Sequence, residues 1–148
     1  MKLLFPKGNI SKKKPTSSQL DDIRFGWQIA REIGRLDIGQ CVVVRDCSVL
    51  AVEAIEGTDE AIKRGGNLGR KKSVVVKLRK PGQDFRFDLP AIGPTTIDSM
   101  IEVQAAVLAV EAGQSLLFDS DEVIRRANKA GIVIVGVEEN DDGLSFTG

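Results

Sequence analysis

A chain of 148 residues fits one compact domain, and its 21 basic and 21 acidic side chains leave no net field to draw it to nucleic acid or an acidic surface. There is no histidine, which excludes a His-dependent triad, a His-ligated zinc and a His general base; any catalysis must rely on carboxylates, Lys or Arg and hydroxyls, with or without a hard metal. Cys41 and Cys47 lack metal-ligand spacing and read as reduced thiols of a cytoplasmic protein, and no window approaches the roughly 20 apolar residues that span a bilayer.

Residues 1–16 hold Pro6, Gly8, the lysines at 12–14 and Pro15, and read as a linker rather than a packed element. Helical spacing of Leu20, Ile23, Trp27, Ala30 and Ile33 then predicts a long helix within "TSSQLDDIRFGWQIAREIGRLDIG", with Gly34 as its stop. In "CVVVRDCSVLAVEAIEG" the period changes: two β-branched runs around Arg45, Asp46 and Cys47 predict a hairpin with a tight turn. "GTDEAIKRGGNLG" reads as a short helix capped by Thr58 or Asp59 and ended at Gly65 and Gly66. Strands follow at "SVVVKLRK" and "FRFDL", a helix at "TTIDSMIEVQAA", strands at "VLAVEA" and after "GQS", a helix at "SDEVIRRANKAG" and a buried strand at "IVIVGV". Residues 139–148 form an acidic, frayed tail. The alternation of strand and helix predicts an α/β fold, a mixed and partly parallel sheet flanked by helices, in a single domain over residues 17–138.

Three places gather polar chemistry. In "EAIEGTDEAIKRGG", Glu53, Glu56 and Asp59 stand at a strand end and a helix start, where free N–H groups suit a phosphate; ordinary helix capping explains the same residues. In "KLRKPGQDFRFDLPAIGPTT", Lys77, Lys80 and Arg86 have the charge to neutralise a diphosphate, and Asp84 and Asp88 suit Mg2+ or an activated water. Strand alternation is the plain alternative, with Lys77 and Arg79 on one face. Pro90 and Pro94, however, stiffen the chain after Asp88 more than a solvated edge requires. In "AVEAGQS", Glu111 ends a strand where α/β folds collect ligand groups. The glycines at 65, 66 and 69 lack the lysine and spacing of a phosphate-binding P-loop. Nucleic-acid binding is not expected, since tyrosine is absent and the phenylalanines read as core.

In order, "FGWQIAREIGRLDIGQCVVVRD", "VLAVEAIEGTDEAIKRGG", "VVVKLRKPGQDFRFDLPAIGPTTI", "LAVEAGQSLLFD" and "AGIVIVGV" resemble the C-terminal domain of the UDP-2,3-diacylglucosamine pyrophosphatases of the LpxI type. The resemblance implies a metal-dependent hydrolase of lipid A biosynthesis in bacteria, splitting UDP-2,3-diacylglucosamine into UMP and 2,3-diacylglucosamine 1-phosphate. It implies that Asp88 is catalytic. On the leading reading Lys77, Lys80, Arg86, Thr58 and Thr96 hold substrate, and Asp84, Glu56 and Asp59 hold a divalent metal, Mg2+ or another. Members of that family carry a further N-terminal domain, so residues 1–16 take the place of the interdomain linker and the partner domain is expected to be missing. Peripheral contact with the inner-membrane surface and a homo-oligomer are compatible with this reading. A non-catalytic sugar-phosphate or lipid-binding module that needs a separate N-terminal domain is the alternative, and a nucleotide-binding regulator, resting on the α/β pattern alone, is a third.

Overall fold

The computed structural model describes residues 2–69, 71–82 and 89–147, Lys2 by its backbone alone. The elements in chain order are β1 (Lys2–Leu4), β2 (Gly8–Asn9), α1 (Ser17–Arg35), β3 (Cys41–Arg45), β4 (Ser48–Val52), α2 (Thr58–Gly69), β5 (Val74–Lys77), β6 (Ala91–Ile92), α3 (Pro94–Glu102), β7 (Val107–Glu111), β8 (Leu116–Phe118), α4 (Ser120–Ala130), β9 (Val133–Asn140) and β10 (Gly143–Ser145). The main sheet runs β10-β9-β7-β5-β3-β4, with β2 also paired to β9, and a small sheet runs β1-β8-β6. β5, β7 and β9 are parallel, in register Val74↔Val107 and Val107↔Val133, while β3 and β4 add antiparallel. The expected α/β fold with a mixed, partly parallel sheet is therefore the one observed.

The Val-rich runs alternate between two buried faces, as strands covered on both sides must. Val42, Val44, Val74, Val76, Ala109 and Val135 pack with Ile23, Trp27 and Ala30 of α1. Val43, Val75, Leu108, Val110 and Ile134 pack instead with Ile62 of α2, Ile97 and Met100 of α3, and Val123 and Ala127 of α4. The helical stripe of α1 is thus core, and each fully buried side chain such as Ile23 contributes about 1.5–3 kcal/mol. With three helices on one face and one on the other, the β5–β7–β9 connections bring the strands' C-terminal ends and the N-terminus of α3 to the same edge.

Four local expectations change. Residues 1–16 are not a free linker: β1 pairs with β8, β2 with β9, and Phe5 is 1% exposed within the core. The backbone of Phe5 donates to the Ser115 carbonyl and accepts from Gly113, both at 2.8 Å. The acidic tail likewise folds back as β10 on β9, and the Phe146 ring lies 5.2 Å under the Arg24 guanidinium. Gly34 and the Gly65–Gly66 pair do not stop their helices. A Cβ on Gly66 would sit 2.3 Å from the Val103 side chain and one on Gly65 2.7 Å from Val43, so these glycines let α2 lie close to β3 and α3. The hairpin turn is as expected. It is made by Asp46 and Cys47 with φ of 50° and 55°, a left-handed pair without glycine. Both of their N–H groups donate to the buried carboxylate of Asp22, at 3.2 and 2.8 Å, which offsets the strain. No helix among the described residues is long and apolar enough to cross a membrane.

Candidate functional site

A cavity of about 460 Å³ opens where the C-terminal end of β5 meets the first turns of α2 and α3. Both helices begin on glycine. Gly57, with φ of +91°, accepts the first helical bond of α2 from Ala61, and Gly93 is the N-cap of α3 with no side-chain cap. Pro94 follows Gly93 and pre-sets the helical turn without needing an acceptor. Among the described residues, the N–H groups of Thr58, Asp59 and Glu60 in α2 and of Thr95 in α3 have no acceptor. Helix starts of this kind favour anions.

Lys77, the last residue of β5, is 6% exposed and lines this cavity. Its ammonium donates to the Ala91 carbonyl at 3.3 Å, and it forms no ion pair with a carboxylate among the described residues. A buried cation in that state calls for an anionic partner. Directly behind lies Cys41, whose thiol burial pushes up to about 12; Lys77 opposes that shift, while Glu53 and Asp59 add to it. Glu53, 7% exposed, accepts the Gln40 N–H at 2.7 Å on one oxygen and the Thr58 hydroxyl at 3.0 Å on the other. Arg64 closes the other side of this loop by donating to the Val52 carbonyl and to Glu56, at 2.8 and 2.7 Å. Its hydrogen bond holds the Glu56 carboxyl below the ordinary glutamate range. The loop so clamped carries Ile55 fully exposed at its tip, and Phe118 of β8 is a half-exposed apolar wall of the same cavity.

Thr58, Asp59, Glu56, Lys77 and Thr96, expected to act together, all line this cavity. Lys80 does not. With Arg31, Arg79, Glu111 and Gln114 it lines a second cavity of about 290 Å³ on the other side of the β5 end. Lys77 and Arg79 were expected on one face, but β5 ends at Lys77 and the alternation stops there. In the second cavity Lys80 pairs with Asp37 at 3.0 Å, Arg79 donates to Gln114 at 3.0 Å, and Arg31 pairs with Glu139 and reaches Glu111 at 4.0 Å. Glu111 also accepts the Arg79 N–H at 3.1 Å, yet burial raises its carboxyl above the ordinary value against the pull of that bond and of Arg31. Asp84, Arg86 and Asp88 lie outside the described residues.

Thr95, Ala91 and Phe118 are cavity residues that no sequence motif singled out for a role there, whereas Glu53, read from the sequence with Glu56 and Asp59, supports the cavity through Thr58. The Gly-Pro pair at 93–94 carries the signal for the α3 start. Phe118 arrives only through the pairing of β8 with β6. For a divalent cation the fit is incomplete: among the described residues no three acidic or thiol side chains converge, and of the acids lining this cavity Glu56 is engaged by Arg64 and Glu60 by Lys63, which leaves Asp59.

The sequence profile of the LpxI C-terminal domain matches residues 6–135. The chain belongs to that family. The UDP-2,3-diacylglucosamine pyrophosphatase LpxI of Caulobacter vibrioides is 39% identical over 147 residues, which cover 94% of this chain and 52% of that protein. The chain thus spans about half the length of the curated relative it matches. In this LpxI-type domain the cavity is lined chiefly by the segments "EGTD", "VVVK" and "IGPTT", which lie within two of the stretches that carried the resemblance.

Proposed function

We propose that this domain supplies the phosphate-handling part of a pyrophosphatase that hydrolyses UDP-2,3-diacylglucosamine to UMP and 2,3-diacylglucosamine 1-phosphate in lipid A biosynthesis. One observation carries the reading: Lys77 is buried without a carboxylate partner among the described residues, between two helix starts that have no side-chain cap. The apolar Ile55 and Phe118 beside a polar cavity suit an acylated sugar phosphate better than a free nucleotide.

In this proposal water attacks the sugar-side phosphorus, the bond from that phosphorus to the bridging oxygen breaks, and the bridging oxygen leaves with UMP. Lys77 and the Thr95 N–H hold the phosphoryl oxygens on which charge grows, with Thr96 beside them and Arg86 toward the diphosphate. Asp88 takes the proton of the attacking water. A divalent cation such as Mg2+, held by Asp59 with Asp84, would neutralise diphosphate charge when bound; Glu56 would join only by leaving Arg64.

Because the chain covers about half of its relative, a second reading stands beside the first: a module that binds the sugar phosphate and needs the remaining half for turnover. The test is UDP-2,3-diacylglucosamine hydrolysis with Mg2+ by this chain alone, and by this chain mixed with the portion of the Caulobacter vibrioides protein that it does not cover. Turnover in either mixture that falls by about 10²–10³ in Lys77→Met supports the proposal. Near-normal turnover in a folded Lys77→Met protein refutes it. Binding of product without turnover in either mixture leaves the module reading.

A further inference from the structure

The two helix starts that frame the cavity are chemically unlike. The first turn of α2 carries Asp59 and Glu60, with Glu56 just before it, whereas the first turn of α3 carries no acidic residue. Acids beside α2 answer its dipole and repel a phosphate, which leaves the anion to Lys77 and α3. Thr58 stands on the acidic wall, and its single hydroxyl proton is already given to Glu53. Glu53 in turn is fixed by the Gln40 N–H, an obligatory donor, so its other oxygen remains an acceptor toward Thr58.

We infer that the buried carboxylate of Glu53 makes Thr58 an acceptor only, so the α2 wall takes the hydroxyl-bearing sugar ring while the Lys77–α3 wall takes its phosphate. This rests on the sugar-phosphate reading above and deepens it by giving the ligand a direction in the cavity. Thr58 contacts the ligand; Glu53 is a positioning residue that acts through it. A sugar presents hydroxyl donors and no charge, which matches Thr58, Asp59 and Glu60, whereas a phosphate presents chiefly anionic acceptor oxygens, which these acids repel and to which the Thr58 side chain has no proton to give.

The test is calorimetric titration of the chain with inorganic phosphate and with N-acetylglucosamine 1-phosphate, whose acylated nitrogen carries no charge, first in EDTA and then in Mg2+. Wild type should prefer the sugar phosphate. Thr58→Val, close in shape, should weaken N-acetylglucosamine 1-phosphate about threefold to tenfold and leave inorganic phosphate within about twofold. Thr58→Ser should behave as wild type. Glu53→Gln, which frees the Thr58 proton to point into the cavity, should copy the loss in Thr58→Val, with circular dichroism confirming the fold. Lys77→Met should weaken both ligands alike. Equal losses of phosphate and sugar phosphate in Thr58→Val would make Thr58 a phosphate ligand and overturn the inference, as would a loss seen only with Mg2+ or no loss at all. If wild type binds phosphate but shows no preference for the sugar, this inference fails and the phosphate site stands. If wild type binds neither, the sugar-phosphate reading itself fails and carries this one with it.

Discussion

Two cavities flank the C-terminal end of β5, and both are lined by cations. In the one beside α1, Lys80 faces Asp37, Arg79 meets Gln114, and Arg31 meets Glu139 and Glu111. In the one beside α2 and α3, Lys77 is more deeply buried and, among the described residues, meets no carboxylate, only a carbonyl at 3.3 Å. Sequence treats Lys77 and Lys80 as equivalent phosphate ligands, but their surroundings do not. A cation answered by fixed acceptors chiefly holds loops together, and a partly exposed pair is worth about 0–1 kcal/mol. A buried cation with no countercharge has desolvation to recover, and a bound anion recovers it. Partner status, more than charge, separates a structural cluster from a ligand site.

The sharpest way to break this contrast is to neutralise both lysines. Lys77→Met should cut turnover by about 10²–10³, whereas Lys80→Met should cost less than about tenfold, measured as kcat/KM in the same assay. Equal losses would show that both cavities hold the diphosphate. A second variant acts on the α3 start without touching charge already present. Gly93 has an extended φ of −142°, and a Cβ there would lie an ordinary 3.8 Å from Phe118. Gly93→Asp should therefore fold with a stability change of only a few tenths of a kcal/mol, since it supplies the missing helix cap. Its carboxylate would take the place of the phosphate, and phosphate affinity should fall by about tenfold or more. Unchanged phosphate binding would move the anion site away from α3.

Thiol chemistry reports on the packing beneath Lys77, where Cys41 stands opposite it in the β3–β5 register. Cys41 is buried and its thiol is pushed up to about 12, whereas Cys47 is exposed on the hairpin turn, where desolvation and the Asp22 carboxylate raise its thiol too. A thiol reagent at pH 8 should modify one cysteine per native chain and two after denaturation. Rapid modification of both would mean that the packing beneath Lys77 opens.

The smallest expected effect lies in the second cavity. Burial raises the Glu111 carboxyl, so the fold favours its protonated form. Stability is then lost as pH rises from the ordinary glutamate value of about 4.3 through the raised folded value, with no further loss above it. Glu111→Gln keeps an acceptor for the Arg79 N–H and cannot ionise. The difference in urea midpoint, variant minus wild type, should grow in the variant's favour across that window. A difference that stays constant with pH would show that the charge of Glu111 is fully compensated by Arg31 and Arg79.

Much of this architecture was legible. The helical stripe from Leu20 to Ile33, the hairpin around Asp46 and the buried Val runs each announce themselves through the spacing of neighbouring residues, and the ordered motifs pointed to the family. The candidate site was half legible. Thr58, Asp59, Glu56, Lys77 and Thr96 do meet, but Lys80 turns to another cavity and Phe118 enters from a distant strand. Asp84, Arg86 and Asp88 stand outside the described residues, so their part in the site remains a proposal.

By itself the sequence determined the four helices and the Val-rich strands, because side-chain period and capping are properties of residues close in the chain. It also determined the available chemistry, since a chain without histidine has only carboxylates, cations and hydroxyls to offer. Tertiary structure alone decided that the Pro- and Lys-rich opening packs as β1 and β2, because only the unpaired edges of β8 and β9 supply its hydrogen-bond partners. It decided, too, that Glu53 meets Thr58 and that Lys77 meets no acid among the described residues. Those states depend on which backbone and side-chain groups burial brings together from distant parts of the chain, and no local spacing encodes that.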